Sequence, residues 1–563
     1  MVRTPKKLLD ELEDAKRHFG SRDDKILSAL GGLSKPRLTD ADSLIRLHES
    51  LLFLRAYPPN ARVLKQVEQM LKTFGKRVAR LRDAAADLSA FDDPEVSGIA
   101  GGSVTSNFSY AIVRWLTTKY PKQVSIDWDW FEEEDRFGAT MPRFLPLLEE
   151  DALVEAHVPY RVWLRAARGR KHELSWLISR FESLSVDDKS RAELYDSLKL
   201  HVTWRYNFRA SRTGMKLLAK KMFFHDQPLI QRRDVSLVSE LNGPPMPTQN
   251  LSHSEGEKIL DLARETSAVR YRELHGFSFG DPRRVVRADF GRGTLAFVFG
   301  VPPGKRLPLR AYHAAIIFKN GVPVAYFEGL SIFERMESGF NLYYTFRDGE
   351  TAWLYARVLR LMRQLLGVTV FSIDPYQVGH ENEEGIESGA FWFYRKLGFR
   401  PVIPELMKLT VSEESKMANS ARHRTSPSML RRLASGHMLF ELPSSRPLKQ
   451  WDKFSVRNVG LAVQRRMATY HDGDAQRVRA ESTKRVARTL GAALHRWTAD
   501  ERRAFENLAL LLATIPHLDR WRGNEKDLAL KIIQAKASAD EGRYLRLMQK
   551  HEALRESFIR IGS

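Results

Sequence analysis

Cysteine is missing from this chain of 563 residues. Its absence excludes disulfides, cysteine nucleophiles and metal sites built from thiolates. Any covalent chemistry must therefore use another nucleophile, or proceed without a covalent enzyme intermediate. The absence also fits a reducing compartment.

Long apolar segments are missing as well. No run of about 18 uncharged apolar residues occurs, which predicts that the chain does not span a membrane. The first 19 residues are basic, but acidic residues interrupt them and no apolar core of a secretory signal follows. We therefore expect a cytoplasmic protein.

The composition is that of a folded protein, because apolar residues make up 43% of the chain and charged residues 28%. The length predicts about three to four domains.

The formal net charge is +21, which points to polyanionic partners. Two segments carry much of the excess. Residues 411–563 contain 29 Lys and Arg against 17 Asp and Glu, a net charge of +12. Residues 201–221 are also basic and include Trp204, Tyr206 and Phe208. Residues 201–221 and 425–563 are therefore candidate nucleic-acid surfaces, with aromatic side chains stacking on bases. The alternative is that the aromatics at 204, 206 and 208 form one buried strand face.

The first 245 residues have helical periodicity. Apolar residues recur at spacings of three and four in the segment 41–57, which ends at two prolines, as expected for an amphipathic helix. A stretch rich in Gly and Ser at 92–106 suggests a boundary. We therefore expect a helical region over 1–100 and a mainly helical, aromatic-rich region over 101–245.

The periodicity changes to that of strands in the middle of the chain. Segments 294–301, 312–318, 322–332 and 339–346 predict strands, and Asn320-Gly321 predicts a tight hairpin between the second and third. An amphipathic helix follows and ends at Gly367. Residues 368–373 then predict a buried strand. Beyond a polar segment at 412–428, interpreted as a loop, the chain is again helical and basic over 425–563.

The most specific motif is GAFWFYRKLGF at 389–399. Together with the order strand, hairpin, long strand, helix, strand, helix, strand, it resembles the GNAT N-acetyltransferase superfamily over residues 250–410. The resemblance implies an α/β (α+β) GNAT-like domain with a mixed sheet, flanked by mainly α-helical N- and C-terminal regions. It also implies acetyl-CoA or another acyl-CoA as donor. Tyr394, four residues before Gly398-Phe399, matches the tyrosine that protonates the leaving thiolate in that superfamily.

The same resemblance places a phosphate-binding loop at 347–352, between a strand and a helix. In such a loop, backbone N–H groups at a helix N-terminus bind the pyrophosphate. Arg347 and Ala352 match the superfamily pattern, whereas Gly349 stands one residue early and Glu350 takes the place of the first glycine. Asp348 and Glu350 add negative charge that repels phosphate. The implied donor-binding residues are Arg347, Asp348, Gly349, Glu350, Thr351 and Ala352.

Acyl transfer to an amine needs a proton acceptor. Glu328, within a predicted strand, and Asp374, at the end of the strand 368–373, are the candidates. Beyond Asp374 lies an acidic cluster, formed by His380, Glu381, Glu383, Glu384 and Glu387. It can be a helix cap with solvated acids, or it can bind a cationic acceptor or a metal. Its spacing does not favour a metal.

These observations predict an acyl-CoA-dependent N-acyltransferase of the direct-transfer type, acting on an amine of unknown identity. The alternative is a non-catalytic nucleic-acid-associated protein with a degenerate GNAT fold.

Overall fold

The structure is a computed structural model, which describes residues 4–16, 23–34, 38–152, 158–219, 221–443 and 446–563. Its N-terminal part is helical. The predicted helix at 41–57 is confirmed, and it contacts the central sheet. The helices of this part are α1 (Pro5–Ala15), α2 (Asp23–Ser34), α3 (Ala41–Ala56), α4 (Ala61–Lys72) and α5 (Phe74–Asp83).

A second hydrophobic core is formed by residues between 104 and 215 together with Ala268 and Val269. A small antiparallel sheet, in the order β1-β3-β2, packs there against short helices. Trp204 and Tyr206 are buried in this core, whereas Phe208 is exposed. The elements are β1 (Ser103–Ser106), α6 (Tyr110–Lys119), β2 (Val124–Ile126), α7 (Glu134–Thr140), α8 (Tyr160–Arg168), α9 (Glu173–Glu182), α10 (Asp188–Asp196) and β3 (Val202–Arg205).

A mixed sheet of nine strands forms the centre of the molecule, in the order β11-β12-β10-β9-β8-β7-β6-β5-β4. β9 and β10 are parallel, and the other neighbours are antiparallel. The mixed α and β architecture is therefore as expected. The strands are β4 (Thr248–Asn250), β5 (Val286–Gly291), β6 (Thr294–Phe299), β7 (Ala311–Lys319), β8 (Val322–Ile332), β9 (Arg335–Leu342), β10 (Val370–Ile373), β11 (Arg400–Pro401) and β12 (Met438–Glu441).

The predicted hairpin is confirmed. β7 ends at Lys319 and β8 begins at Val322, with Asn320 and Gly321 both at positive φ. Gly and Asn tolerate this conformation best, which is why the pair marks a two-residue turn. The prediction for the next strand was wrong at both ends. β9 begins at Arg335, and residues 344–346 form a 3-10 turn that leads into the following helix.

Helices cover both faces of the sheet. Phe277 of α13 packs against Phe299 and Tyr326 on one face, and Tyr355 of α14 packs against Phe340 on the other. The predicted loop at 412–428 was wrong in its first half, which continues a helix. The helices around the sheet are α11 (Leu237–Leu241), α12 (His253–Ala268), α13 (His275–Phe279), α14 (Thr351–Leu366), α15 (Pro375–Val378), α16 (Glu383–Glu387), α17 (Ala390–Arg395), α18 (Pro404–Asn419) and α19 (Pro427–Leu433).

The C-terminal helices share the hydrophobic core of the sheet and of the N-terminal helices. Buried Glu334, just before β9, accepts hydrogen bonds from Arg555 and from Trp451 Nε1, the latter at 2.8 Å. The basic C-terminal segment is thus an integral part of this fold. Its helices are α20 (Val456–His471), α21 (Ala475–Leu490), α22 (Ala499–Leu512), α23 (Gly523–Lys536), α24 (Glu541–Met548) and α25 (Glu552–Gly562).

Among the described residues, no helix combines the length and the apolar character needed to cross a membrane.

Candidate functional site

The parallel strands β9 and β10 separate at the centre of the sheet. They pair from Arg335 to Glu337 on β9 and from Val370 to Ser372 on β10, and no pairing continues beyond these residues in the described chain. Asp374 follows β10 directly, where its side chain accepts a hydrogen bond from the N–H of Tyr376 at 2.9 Å. An opening between two parallel strands at their carboxyl ends is a common position for a ligand in α/β proteins.

A cleft of about 530 Å³ opens beside this point, within the usual range of ligand sites, about 300–1,000 Å³. We call it the β9–β10 cleft. It contains both acidic and basic groups, and Asp374 is one of the predicted site residues that line it. Its charged or titratable lining side chains include Arg310, Arg335, Glu337, Asp374, His437 and Arg457.

Glu328 lies on β8, two residues before Leu330, which lines the cleft. The phenol of Tyr312 donates a hydrogen bond to the Glu328 carboxylate and itself accepts one from the N–H of Gly276 at 2.9 Å. Burial raises the pKa of Glu328 above its ordinary value. Glu328 is therefore a stronger base than an exposed carboxylate. It does not line the cleft itself.

Tyr394 lies in α17, behind the opposite face of β9. Its ring packs edge-on against Tyr355 at 5.6 Å and Phe399 at 5.6 Å. The hydroxyl of Tyr355 in turn lies 2.9 Å from that of Ser338 on β9. Burial raises the pKa of Tyr394 above that of an ordinary phenol, which is itself protonated at neutral pH.

The predicted phosphate loop, 347–352, leads into the first turn of α14. That helix begins at Thr351, and no side chain caps its N-terminus. Thr351 is half-exposed, so the first turn can be reached from solvent. The N–H of Gly349 donates to the carbonyl of Phe346 at 2.9 Å. A Cβ at Gly349 would come within 2.7 Å of the Tyr57 hydroxyl, so this close approach requires glycine.

The charged residues of the loop differ in their environments. Arg347 is partly exposed and binds Glu384, with Glu95 at 3.7 Å. Asp348 is exposed, and Ala352 is buried at the start of the helix.

Glu350 is completely buried. Its carboxylate lies 3.0 Å from Lys319 Nζ and 2.6 Å from an Nη atom of Arg292. Burial raises the pKa of Glu350, but the charge of Lys319 and the hydrogen bonds from both cations outweigh it and hold the pKa below its ordinary value. The negative charge at the place of the first glycine is thus neutralised within the protein.

In the acidic cluster after β10, His380 and Glu381 line the β9–β10 cleft, whereas Glu383, Glu384 and Glu387 lie exposed on the surface. Glu383 pairs with Arg431 at 2.8 Å, and Glu384 pairs with Arg347. In the part of the chain that the structure describes, no group of three or more metal-ligating side chains is present. A metal is therefore not supported at His380, Glu381 or Glu387.

The two basic segments differ in accessibility. Trp204 and Tyr206 are buried and cannot stack on bases. The buried-strand interpretation is confirmed for Trp204 of β3, and Tyr206 follows that strand directly. By contrast, α20 and α21 carry exposed cations, and residues 456–490 contain eight Lys and Arg against three Asp and Glu. Exposed residues without an ion pair to any described acid include Arg465, Lys484, Arg485 and Arg488.

Three cations of this region were not predicted. Lys319 is the last residue of the apolar strand β7 and precedes a turn, where a lysine is usually solvated. Arg292 and Arg335 lie far from the motifs of the sequence. The sequence signal available for Lys319 and Arg335 was a charged residue next to an apolar segment. This signal does not identify the group with which the cation interacts.

Comparison of the chain with protein-family models, with curated proteins and with solved structures gave no match.

Proposed function

We propose that the protein is an acyl-CoA-dependent N-acyltransferase with a GNAT-like arrangement of its central domain. One observation carries the proposal. The parallel strands β9 and β10 diverge beside a polar cleft, and α14, whose N-terminus has no side-chain cap, packs on β9 through Tyr355. An acyl donor held along this opening would have its phosphates at the helix and its thioester beside the cleft.

The first turn of α14 is suited to the donor's phosphates. Its N–H groups are free of a side-chain cap, and the helix dipole favours an anion there. Arg347, four residues before this turn, adds a cation that is paired with Glu384. The buried ion pairs of Glu350 remove a charge that would otherwise repel phosphate, which resolves part of the mismatch with the superfamily pattern.

The acid and the base lie on opposite sides of β9. Side chains alternate along a strand, so Ser338 faces Tyr355 and Tyr394 while Gly339 pairs with Glu328 of β8. A neutral amine would attack the thioester carbonyl and lose its proton to Glu328 or Asp374, directly or through water. As the carbon–sulfur bond breaks, Tyr394 would give its proton to the thiolate. No covalent enzyme intermediate is needed.

The proposal is tested by one charge at the helix N-terminus. Thr351→Glu stabilises the helix, because an acidic side chain is favourable in the first turn, but it places a negative charge at the phosphate site. Thr351→Gln is the matched neutral control, since both variants lose the 3.2 Å hydrogen bond to the Arg347 carbonyl. Gly349 is unsuitable for this test because its N–H is already bonded.

Calorimetry with desulfo-CoA measures the outcome. We expect the Gln variant to bind like the wild type and the Glu variant to bind about tenfold or more weakly, as a like charge near a phosphate costs over 1 kcal/mol. Equal affinities of the two variants, or no binding by the wild type, would disprove the assignment.

A second candidate function is binding of nucleic acid without catalysis. The exposed and unpaired cations of α20 and α21 favour it, with Tyr470 exposed beside Arg466. Phosphates attract such a surface, and an exposed aromatic ring can stack on a base.

A further inference from the structure

The β9–β10 cleft contains a buried arginine that has no acidic partner. Arg335 is 7% exposed, and no carboxylate of the described residues lies within ion-pair distance of it. One Nη donates to the Phe454 carbonyl at 3.1 Å, and Nε lies 3.4 Å from Ser372 Oγ. By comparison, the buried Arg212 and Arg555 each bind a carboxylate.

Aromatic rings hold Arg335 in place. The guanidinium lies 5.4 Å from the Phe454 ring and 5.8 Å from the Trp451 ring. Burial lowers its pKa to about 10, so the group is still charged at neutral pH. A buried cation is costly unless an anion or several acceptors compensate it, and this one lines an open cleft.

Further cations and acids line the same cleft. Arg310 contacts Glu337 weakly, at 3.4 Å, and Arg457 is exposed at the rim. The buried Nδ1 atom of His437 has no hydrogen-bond partner among the described residues. Glu337, Asp374 and Glu381 supply negative charge. The cleft therefore offers donors for an oxyanion and carboxylates for an ammonium group.

We propose that the β9–β10 cleft binds a small zwitterion, an amine that also carries a carboxylate, such as an amino acid or a short peptide. Arg335 takes the carboxylate, and Glu337 and Asp374 take the ammonium group. The identification of this ligand as the acyl acceptor rests on the proposed acyltransferase function, whereas binding itself does not. A carboxylate fits better than a phosphate, because the three acids that line the cleft, Glu337, Asp374 and Glu381, repel a dianion more strongly than a monoanion.

The test uses the full chain without an acyl donor, with binding followed by saturation-transfer NMR. The probes are alanyl-alanine, its N-acetyl derivative, its C-terminal amide and 2-aminoethyl phosphate. We expect alanyl-alanine to bind about tenfold more tightly than the N-acetyl derivative or the amide, since each of these lacks one charge. Similar affinities for these three probes would overturn the proposal. Tighter binding of 2-aminoethyl phosphate would overturn the choice of carboxylate.

Two variants assign the roles. Arg335→Gln should lower the affinity for alanyl-alanine to that for its amide and should leave the affinity for the amide unchanged. Glu337→Gln should weaken the binding of alanyl-alanine and of the amide but leave the binding of the N-acetyl derivative unchanged. Because the Glu337 side chain is partly exposed, this variant is expected to fold. Unchanged binding in a folded Glu337→Gln or Arg335→Gln variant contradicts the assigned role. Binding of alanyl-alanine without any binding of desulfo-CoA would refute the acyltransferase and leave the cleft assignment standing. Binding of desulfo-CoA without any binding of alanyl-alanine would refute the cleft assignment alone.

Discussion

Glu350→Gln tests the buried ion pairs on which the phosphate loop is built. Gln keeps the size of the side chain but removes its charge. Arg292 is 28% exposed at its side chain and can regain water, whereas Lys319 is completely buried. The main consequence of the substitution is therefore an uncompensated ammonium group inside the protein.

The expected loss is about 3–5 kcal/mol, the usual cost of breaking a buried pair by removing one partner. The pKa of Lys319 shows that its site disfavours the ammonium group. Burial lowers this pKa to about 8 even though the Glu350 charge raises it. Relative to the ordinary 10.5, a penalty of about 3 kcal/mol thus remains with Glu350 in place, at about 1.4 kcal/mol per pH unit. Without the carboxylate, the cost of keeping Lys319 charged becomes larger.

The sign of the pH dependence follows from the same value. A lysine with a lowered pKa in the folded state contributes stability that is present above pH 10.5 and is lost as the pH falls through about 8. In Glu350→Gln the pKa of Lys319 falls further, so the free energy of unfolding continues to decrease to a lower pH than in the wild type. The difference between variant and wild type should consequently be larger at pH 7 than at pH 10.

The appropriate assay is hydrogen exchange measured on peptides of β7 and α14. Because the protein has two hydrophobic cores, a single two-state unfolding transition is not expected. We expect exchange about 100-fold faster or more in Glu350→Gln. Lys319→Met in the same chain should restore much of the protection. Glu193→Gln is the control, since its exposed pair with Lys189 is worth less than about 1 kcal/mol. A Glu350→Gln effect no larger than the control would refute the reasoning.

Two further predictions concern the proposed functions. Tyr394→Phe should keep the ring packing and lower acyl transfer by about 100- to 10,000-fold, while desulfo-CoA affinity stays constant; a lower melting temperature with full turnover would make Tyr394 purely structural. For nucleic acid, Arg485→Glu with Arg488→Glu should weaken binding of a duplex and flatten its salt dependence relative to Lys72→Glu with Lys76→Glu. Equal affinities of the two double variants would remove α21 from the interface.

The sequence predicted much of the central sheet, because local patterns determine it. Asn320-Gly321 specifies a two-residue turn, and the apolar residues of 355–366 give the face of α14 that packs on the sheet. The short β4 was missed because none of its residues is apolar. β5 was missed although Val286, Ala288 and Phe290 alternate along it. The division of the chain into separate helical regions also did not anticipate that the first helices and the last ones share one core.

The candidate site was predictable only in part. Asp374 could be placed because it ends an apolar strand, and it does line a cleft. The partners of Glu350 lie 31 and 58 residues away along the chain, and no local pattern reports such a pairing. Arg335 adjoins an apolar strand, but no local pattern reports its burial or the absence of an acid beside it, from which its importance comes.

Release of free thiol from acetyl-CoA tests the central claim most directly, and the chain has no cysteine to disturb the assay. With alanyl-alanine as acceptor, or with water in slow hydrolysis, the wild type should release thiol above the enzyme-free rate. Thr351→Glu and Tyr394→Phe should both reduce that release, the first by weakening donor binding and the second by lowering turnover. Release at the enzyme-free rate by a wild type that is folded would contradict the acyltransferase proposal.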